Sequence, residues 1–213
     1  MKFSNDPFHV FPMREDYIEK HLQVDTPLSS LPTIPDFFKG KEIFITGGTG
    51  FIGKVLIEKL LRSSPDIKAI YLLMREKKGQ KIEDRLKAIA ELNLFDILRL
   101  KNPEFLKKII PVKGDVTELN LGLSESSRHL LKDVSIIFHS AASVRFDDSL
   151  KYAVIMNTRG TREIMRFSET LSNIKVVMHV STTYSNVYLS TVNEEIYPPI
   201  ADWKKTVEIC EKY

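Results

Sequence analysis

Thr46-Gly-Gly-Thr-Gly-Phe-Ile-Gly53 is the strongest chemical signal in the chain. It follows the short apolar run Glu42–Thr46 and opens a helical pattern. Backbone N–H groups at a helix start have no intrahelical partner, and together with the helix dipole they favour an anion. Gly47 suits the tight turn, Gly50 lets a pyrophosphate approach the backbone, and Gly53 lets the helix pack closely on the sheet. Gly48, Thr49, Phe51 and Ile52 complete the loop, and its chemistry is dinucleotide binding. The spacing is G-x-x-G-x-x-G and not G-x-G-x-x-G. A glycine-rich turn without a ligand is the alternative, and the position between a strand and a helix argues against it.

A ribose-contacting residue is expected roughly 20 residues further on, at the end of the second strand. An acid there holds a 2′-hydroxyl, whereas a basic residue accommodates a 2′-phosphate. The sequence has Met74-Arg75 at that place, with Lys77 and Lys78 nearby, so the expected cofactor is NADP(H). A solvated basic loop is the competing explanation. At the end of the fourth strand, small Ala141 and Ala142 let the backbone pass close to the ribose beside the nicotinamide, and His139 is expected to be a packed strand residue, not a ligand. Ser181, Thr182 and Thr183 end the fifth strand, at the sheet edge where ligands sit. A hydroxyl there can donate to a carbonyl oxygen as negative charge develops, or it can simply tie off the backbone at the strand end.

Five apolar runs position these residues: Glu42–Thr46, Ala69–Leu73, Ile109–Lys113, Ser135–His139 and Lys175–Val180. Helical spacing separates them, at Ile52, Val55, Leu56 and Leu60, at Ile82, Leu86, Ile89 and Leu92, near Ser126–Leu131, and from about Leu150 to Thr170. Leu94, Phe95, Ile97, Leu98 and Phe105 predict an extra helix before the third strand. The alternation implies an α/β fold with a doubly wound parallel sheet of Rossmann type. Residues 1–40 read as a partly disordered leader with one short helix around Asp16–Leu22, and 41–213 as the cofactor-binding domain. Tyr184–Pro199 is turn-like, and Trp203–Tyr213 reads as the opening of a helix.

With 213 residues, 43% hydrophobic and 28% charged, the chain can close one sizeable core. A net charge of +3 without a basic and aromatic stripe argues against nucleic acid, and no Cys/His cluster suggests a metal. Cys210 is the only cysteine, which fits a reducing, intracellular setting. No run approaches the roughly 20 apolar residues of a membrane span.

The glycine spacing resembles that of the short-chain dehydrogenases/reductases, and Gly50-Phe-Ile-Gly53 resembles their extended branch. That resemblance implies adenine contacts from Asp115 and Val116 in Gly114-Asp-Val116, and a carbonyl-polarising role for Thr182, with Ser181 the neighbour that could take it instead. Phe37-Phe-Lys-Gly-Lys41, YLLMREKKGQ, PVKGDV, HSAASVRFDDSLKYAVIMNTRGTREIM and HVSTTYSN with EEIYPP carry the likeness further, to the alcohol-forming fatty acyl-CoA reductases, from residue 37 onward. The resemblance implies reduction of long-chain acyl-CoA by two NADPH, through an aldehyde, to a primary alcohol. Relatives of this kind are commonly tied to peroxisomal or endoplasmic-reticulum membranes through regions beyond this segment. Another extended short-chain enzyme (a thioester reductase, sugar epimerase or hydroxysteroid dehydrogenase) and an inactive NADP(H)-binding module remain alternatives.

The superfamily's acid is a Tyr followed four positions later by Lys, which lowers the phenol's pKa. Tyr184, Tyr188 and Tyr197 are followed at that offset by Tyr188, Val192 and Ala201, and Tyr213 is the last residue. Val176, Val177, Met178 and Val180 also read as a strand covered on both faces, which an edge strand would not be. The sequence-based expectation is a domain truncated after about strand five. We therefore expect these 213 residues, expressed alone, to bind NADPH weakly or aggregate and to yield no alcohol from acyl-CoA; measurable alcohol in a product assay overturns this.

Overall fold

The computed structural model describes residues 32–212 apart from Lys78 and Glu194, so the expected helix at Asp16–Leu22 lies outside the described residues. The first described element is a short helix, α1 (Ile34–Phe38), capped by Thr33, whose Oγ1 accepts from the Asp36 amide. It falls within the stretch expected to be a leader.

Five parallel strands follow: β1 (Glu42–Thr46), β2 (Ala69–Met74), β3 (Ile109–Lys113), β4 (Ile136–His139) and β5 (Val176–His179). Their order in the sheet is β3-β2-β1-β4-β5, with β1 central. Each lies within a residue or so of its sequence-based bounds. Pro111 cannot donate to a ladder, and it is tolerated because β3 is an edge strand among the described residues.

Helices pack on both faces. They are α2 (Phe51–Ser63), α3 (Ile82–Ala90), α4 (Asp96–Lys101), α5 (Glu125–Leu130), α6 (Leu150–Ala153), α7 (Gly160–Glu169) and α8 (Trp203–Lys212). Alternation along β1 sorts its residues between two cores. Ile43 and Ile45 join Ile57, Leu61, Leu72, Phe95 and Leu98 on one face. Phe44 points to the other, with Leu73, Val116, Leu121, Ile137, Ile164 and Phe167. Phe95 and Phe105 stack with centroids 5.8 Å apart, which accounts for the extra helical matter before β3. The buried stripe of α2 is Gly53, Ile57, Glu58, Leu60 and Leu61; of the expected apolar residues Leu60 is in it and Leu56 is partly buried against the core, while Ile52 and Val55 are 54% and 40% exposed. The close packing at Gly53 sets this rotation.

The predicted helix from Leu150 to Thr170 is continuous but changes gauge. Between α6 and α7, residues Val154–Arg159 form a π-helical segment in which Gly160 N–H donates to Ile155 O, five residues back. Such a segment inserts one residue into a helix and is frequent at functional sites. α8 packs against it through Val207 and Cys210, which cluster with Val154, Ile155 and Trp203. At the edge of the sheet, Val176 and Val177 of β5 are half-buried, while Met178 and Val180 are 50% and 40% exposed, apolar side chains without the charges that guard an edge.

At the amino end of the sheet, buried Glu42 is held by Lys68 at 2.6 Å and accepts from Tyr71 at 3.1 Å. Burial first, and then Glu42, push the Tyr71 phenol up to about 12. Phe44 is fully buried and meets Phe167 edge-on with centroids 5.4 Å apart. Phe44→Ala should cost about 3–5 kcal/mol of stability, read as a lowered midpoint in urea unfolding; an unchanged midpoint would show that this face is not the core.

Candidate functional site

Where β1 ends, Gly47 turns with φ +74°, in the left-handed region, and its carbonyl accepts from Gly50 N–H at 2.9 Å. A β-carbon on Gly47 would lie 2.5 Å from Ser140 C and 2.6 Å from Ala141 N, so the turn abuts the backbone that leaves β4. A β-carbon on Gly53 would sit 2.3 Å from Gly47 O and 2.5 Å from Gly48 Cα. The start of α2 is thus pressed against the turn. Gly50 is its N-cap, no side chain caps it, and the first turn carries no acid. The amides at this end are free to face an anion.

In front of the turn lies a cavity of about 260 Å³ at the carboxyl edge of the sheet. Of the sequence-predicted residues, Gly47, Thr49, Gly50, Arg75, Asp115, Val116, Ala141 and Ala142 line it. Gly48, Phe51, Ile52 and Gly53 are not among the lining residues; they build the turn and the first turn of α2 behind it. Ser181 and Thr182 do not line it either. Both are exposed beyond β5, where Thr182 Oγ1 caps a short turn by accepting from Tyr184 N–H at 3.2 Å. That contact uses a lone pair and leaves the hydroxyl proton to donate.

Sequence reasoning missed Arg85 and Met156, which also line the cavity. Arg85, one turn into α3, donates to the Arg75 carbonyl and joins Arg75 and Lys77 at one end of the cavity. The run of cations after β2 could have pointed to it. Met156 enters from the π segment, and no sequence period marks it. Lys78 lies outside the described residues.

Arg75 and Asp115, expected to serve different parts of a ligand, touch each other: Nη1 lies 3.2 Å from Oδ2. The other Asp115 oxygen accepts from the amide and the hydroxyl of Thr117, both at 2.9 Å, so Asp115 also acts as a turn former. Its own amide donates to Leu121 O at 2.9 Å. Val116 is buried, and Gly160 allows α7 close to it: a β-carbon there would stand 3.1 Å from Val116 O.

His139 is 1% exposed, as expected of a packed residue. Its Nδ1 lies 2.7 Å from Thr46 Oγ1 and its Nε2 3.0 Å from Thr161 Oγ1. Burial, and then the stacked His179, hold the imidazole down at about 4.

These features fit a dinucleotide: a glycine cradle that a β-carbon would fill, uncapped amides at a helix start, and cations at one end of the cleft. The comparisons agree. A family model described as Male sterility protein, an NAD-binding family, matches residues 45–213. Fatty acyl-CoA reductase 1 of Mus musculus is 42% identical over 180 residues, covering 84% of this chain and 35% of the relative. Fatty acyl-CoA reductase 2 of Homo sapiens is 41% identical over 182 residues, covering 85% and 35%. The chain therefore spans about a third of the length of the curated relatives it matches. Among solved structures, the terminal R domain of the myxalamid PKS-NRPS pathway is 34% identical with a TM-score of 0.56, covering 69% of this chain and 36% of that one. A reductase domain of a nonribosomal peptide synthetase from Mycobacterium tuberculosis shares the fold, with a TM-score of 0.58 at 24% identity over 81% and 42% of the two chains.

Because a methyl group at Gly53 meets backbone atoms that cannot swing aside, Gly53→Ala should force α2 off the turn. The expected outcome is a cost of about 1–3 kcal/mol in stability together with loss of dinucleotide binding in calorimetric titration; retained affinity would mean the turn does not hold the ligand.

Proposed function

The chain belongs to the NAD-binding family described as Male sterility protein, and we propose that it forms the NADPH-binding part of a fatty acyl-CoA reductase that converts long-chain acyl-CoA, through an aldehyde, to a primary alcohol. The observation that carries this reading is the cleft itself. Its floor is the Gly47–Gly50 turn, Arg75, Lys77 and Arg85 stand at one end, and the small pair Ala141-Ala142 stands at the other.

Each part has a physical task. The amides at the start of α2 hold the diphosphate, since the dipole and the missing caps both favour negative charge there. Arg75 exchanges the carboxylate of Asp115 for the 2′-phosphate, a fork-shaped donor passing from one oxyanion to another. Asp115, so released, accepts from the adenine amine, and Val116 covers the ring. Gly48, Phe51, Ile52 and Gly53 keep the turn in shape, while Ala141 and Ala142 leave room for the nicotinamide ribose. The bound cofactor supplies hydride. Thr182 donates its proton toward the carbonyl oxygen of the acyl group as charge develops on it, with Ser181 the neighbouring hydroxyl that could replace it. Among the described residues no helix is long and apolar enough to cross a membrane.

The test separates the two nicotinamide cofactors. In the full chain, Arg75→Ala should weaken NADPH by about 10- to 100-fold, the worth of one hydrogen bond to a charged group, and leave NADH nearly unchanged. Equal losses for both would remove the preference for NADPH, and failure of the full chain to make alcohol from a long-chain acyl-CoA would remove the substrate.

A further inference from the structure

The cleft is joined from behind by a chain of hydrogen bonds whose directions can be worked out. Thr161 Oγ1 donates to the carbonyl of Asn157 at 2.8 Å, so its only proton is spent. It can meet His139 Nε2, 3.0 Å away, only as an acceptor, which puts the imidazole proton on Nε2. Nδ1 then carries a lone pair and accepts from the Thr46 hydroxyl at 2.7 Å. Thr46 Oγ1 in turn accepts from Ala141 N–H at 3.3 Å. Every donor and acceptor along the path is matched once. The path runs from the wall beside Ala141, through the last residue of β1 and the imidazole of β4, into the helix that carries the π segment. Asn157 closes the same junction with its side chain, accepting from Ser143 N–H at 2.8 Å and donating to Ser143 O at 3.0 Å.

We propose that His139 is a positioning residue: a neutral, single-tautomer imidazole that locks the Ala141 wall of the cleft to Thr46, the residue before the phosphate turn, and to Asn157 and Thr161. Its effect on a cofactor rests on the dinucleotide reading given above; the tautomer does not. Protonation would destroy the arrangement. A hydrogen on Nδ1 would face the Thr46 proton in a site where Thr46 is fully buried, and that hydroxyl would lose its acceptor. Among the described residues the titratable group facing the imidazole is His179 of β5, stacked at 5.1 Å; Thr46 from β1 and Thr161 from α7 are neutral. The fall of His139 from 6.5 to about 4 agrees with this. A histidine depressed in the folded state binds its proton more weakly than the unfolded chain does. Its contribution is therefore fully present above about 6.5 and is lost as the pH falls from there toward 4.

Two measurements on the full chain test the proposal. Histidine-selective nitrogen-15 spectra should show His139 as the Nε2–H tautomer from pH 8 to pH 5.5, roughly the span over which the ordinary imidazole titrates. An Nδ1–H tautomer or an imidazolium at neutral pH would overturn the proposal whether or not a cofactor binds. Thr161→Val, which removes the acceptor and keeps the shape, should weaken NADPH about tenfold, the worth of one buried hydrogen bond. It should weaken 2′,5′-ADP, which lacks the nicotinamide half, by less than about twofold. Equal losses on both ligands would make the network a general support and refute positioning, as would no loss on NADPH. A wild-type chain that binds neither ligand, yet shows the expected tautomer, would fail the dinucleotide reading and take the cofactor half of this proposal with it.

Discussion

The carbonyl of Gly47 stands 2.3 Å from where a β-carbon of Gly53 would be, and from that one crowded point the geometry of the cleft follows. Gly48, in the same turn, could not readily carry a β-carbon either, since one would lie 2.0 Å from the Leu72 side chain of β2. Nor can the turn move toward β4, because Gly47 already touches the backbone of Ser140 and Ala141. Three backbones meet where only hydrogens fit between them, and the amides at the start of α2 are left facing outward. The two cores on the faces of the sheet matter to this site chiefly because they make the meeting point rigid.

A second tier of polar contacts holds the walls. On one side the Thr46, His139 and Thr161 chain ties β1, β4 and α7. On the other, Asn120 and Leu121 take positive φ of 54° and 62°, a conformation that costs a non-glycine residue of order 1–2 kcal/mol. Glu163 offsets part of that cost. Buried at 2% exposure, it accepts from Asn120 N–H at 2.8 Å and is itself held by Arg162 at 3.0 Å and Arg166 at 3.3 Å. With Leu121 so fixed, its carbonyl receives the amide of Asp115. The residue proposed to read adenine is aimed by a carboxylate that does not line the cleft.

The five strands were legible because each is an apolar run bounded by turns or helices, and burial on both faces demands such runs. The glycine turn was legible because its spacing is dictated by contacts no other residue allows. The facing of α2 was only partly legible, since exposed Ile52 and Val55 are as apolar as the residues that are buried, and the crowding at Gly53 selects the stripe. Nor was the pairing of Arg75 with Asp115, forty positions apart, because a strand end carries no mark of its partner across the sheet. His139 was correctly read as packed, but its hydroxyl partners come from two other elements and share no local pattern with it. The role implied for Thr182 rests on the superfamily resemblance, since a hydroxyl after β5 could equally tie off the strand end, and the structure leaves it exposed and outside the lining of the cleft.

The wide-gauge stretch at Val154–Arg159 gives the helix after β4 a fixed phase. A π turn takes up one extra residue locally, so the α-helical turns on either side of it keep their phase. Thr161 thus meets the imidazole, Gly160 meets Val116 and Glu163 meets the Asn120 amide from a helix that has absorbed one residue more than its pitch requires. The widened turn is also the stretch that carries Met156 to the cleft and Asn157 to the backbone of Ser143.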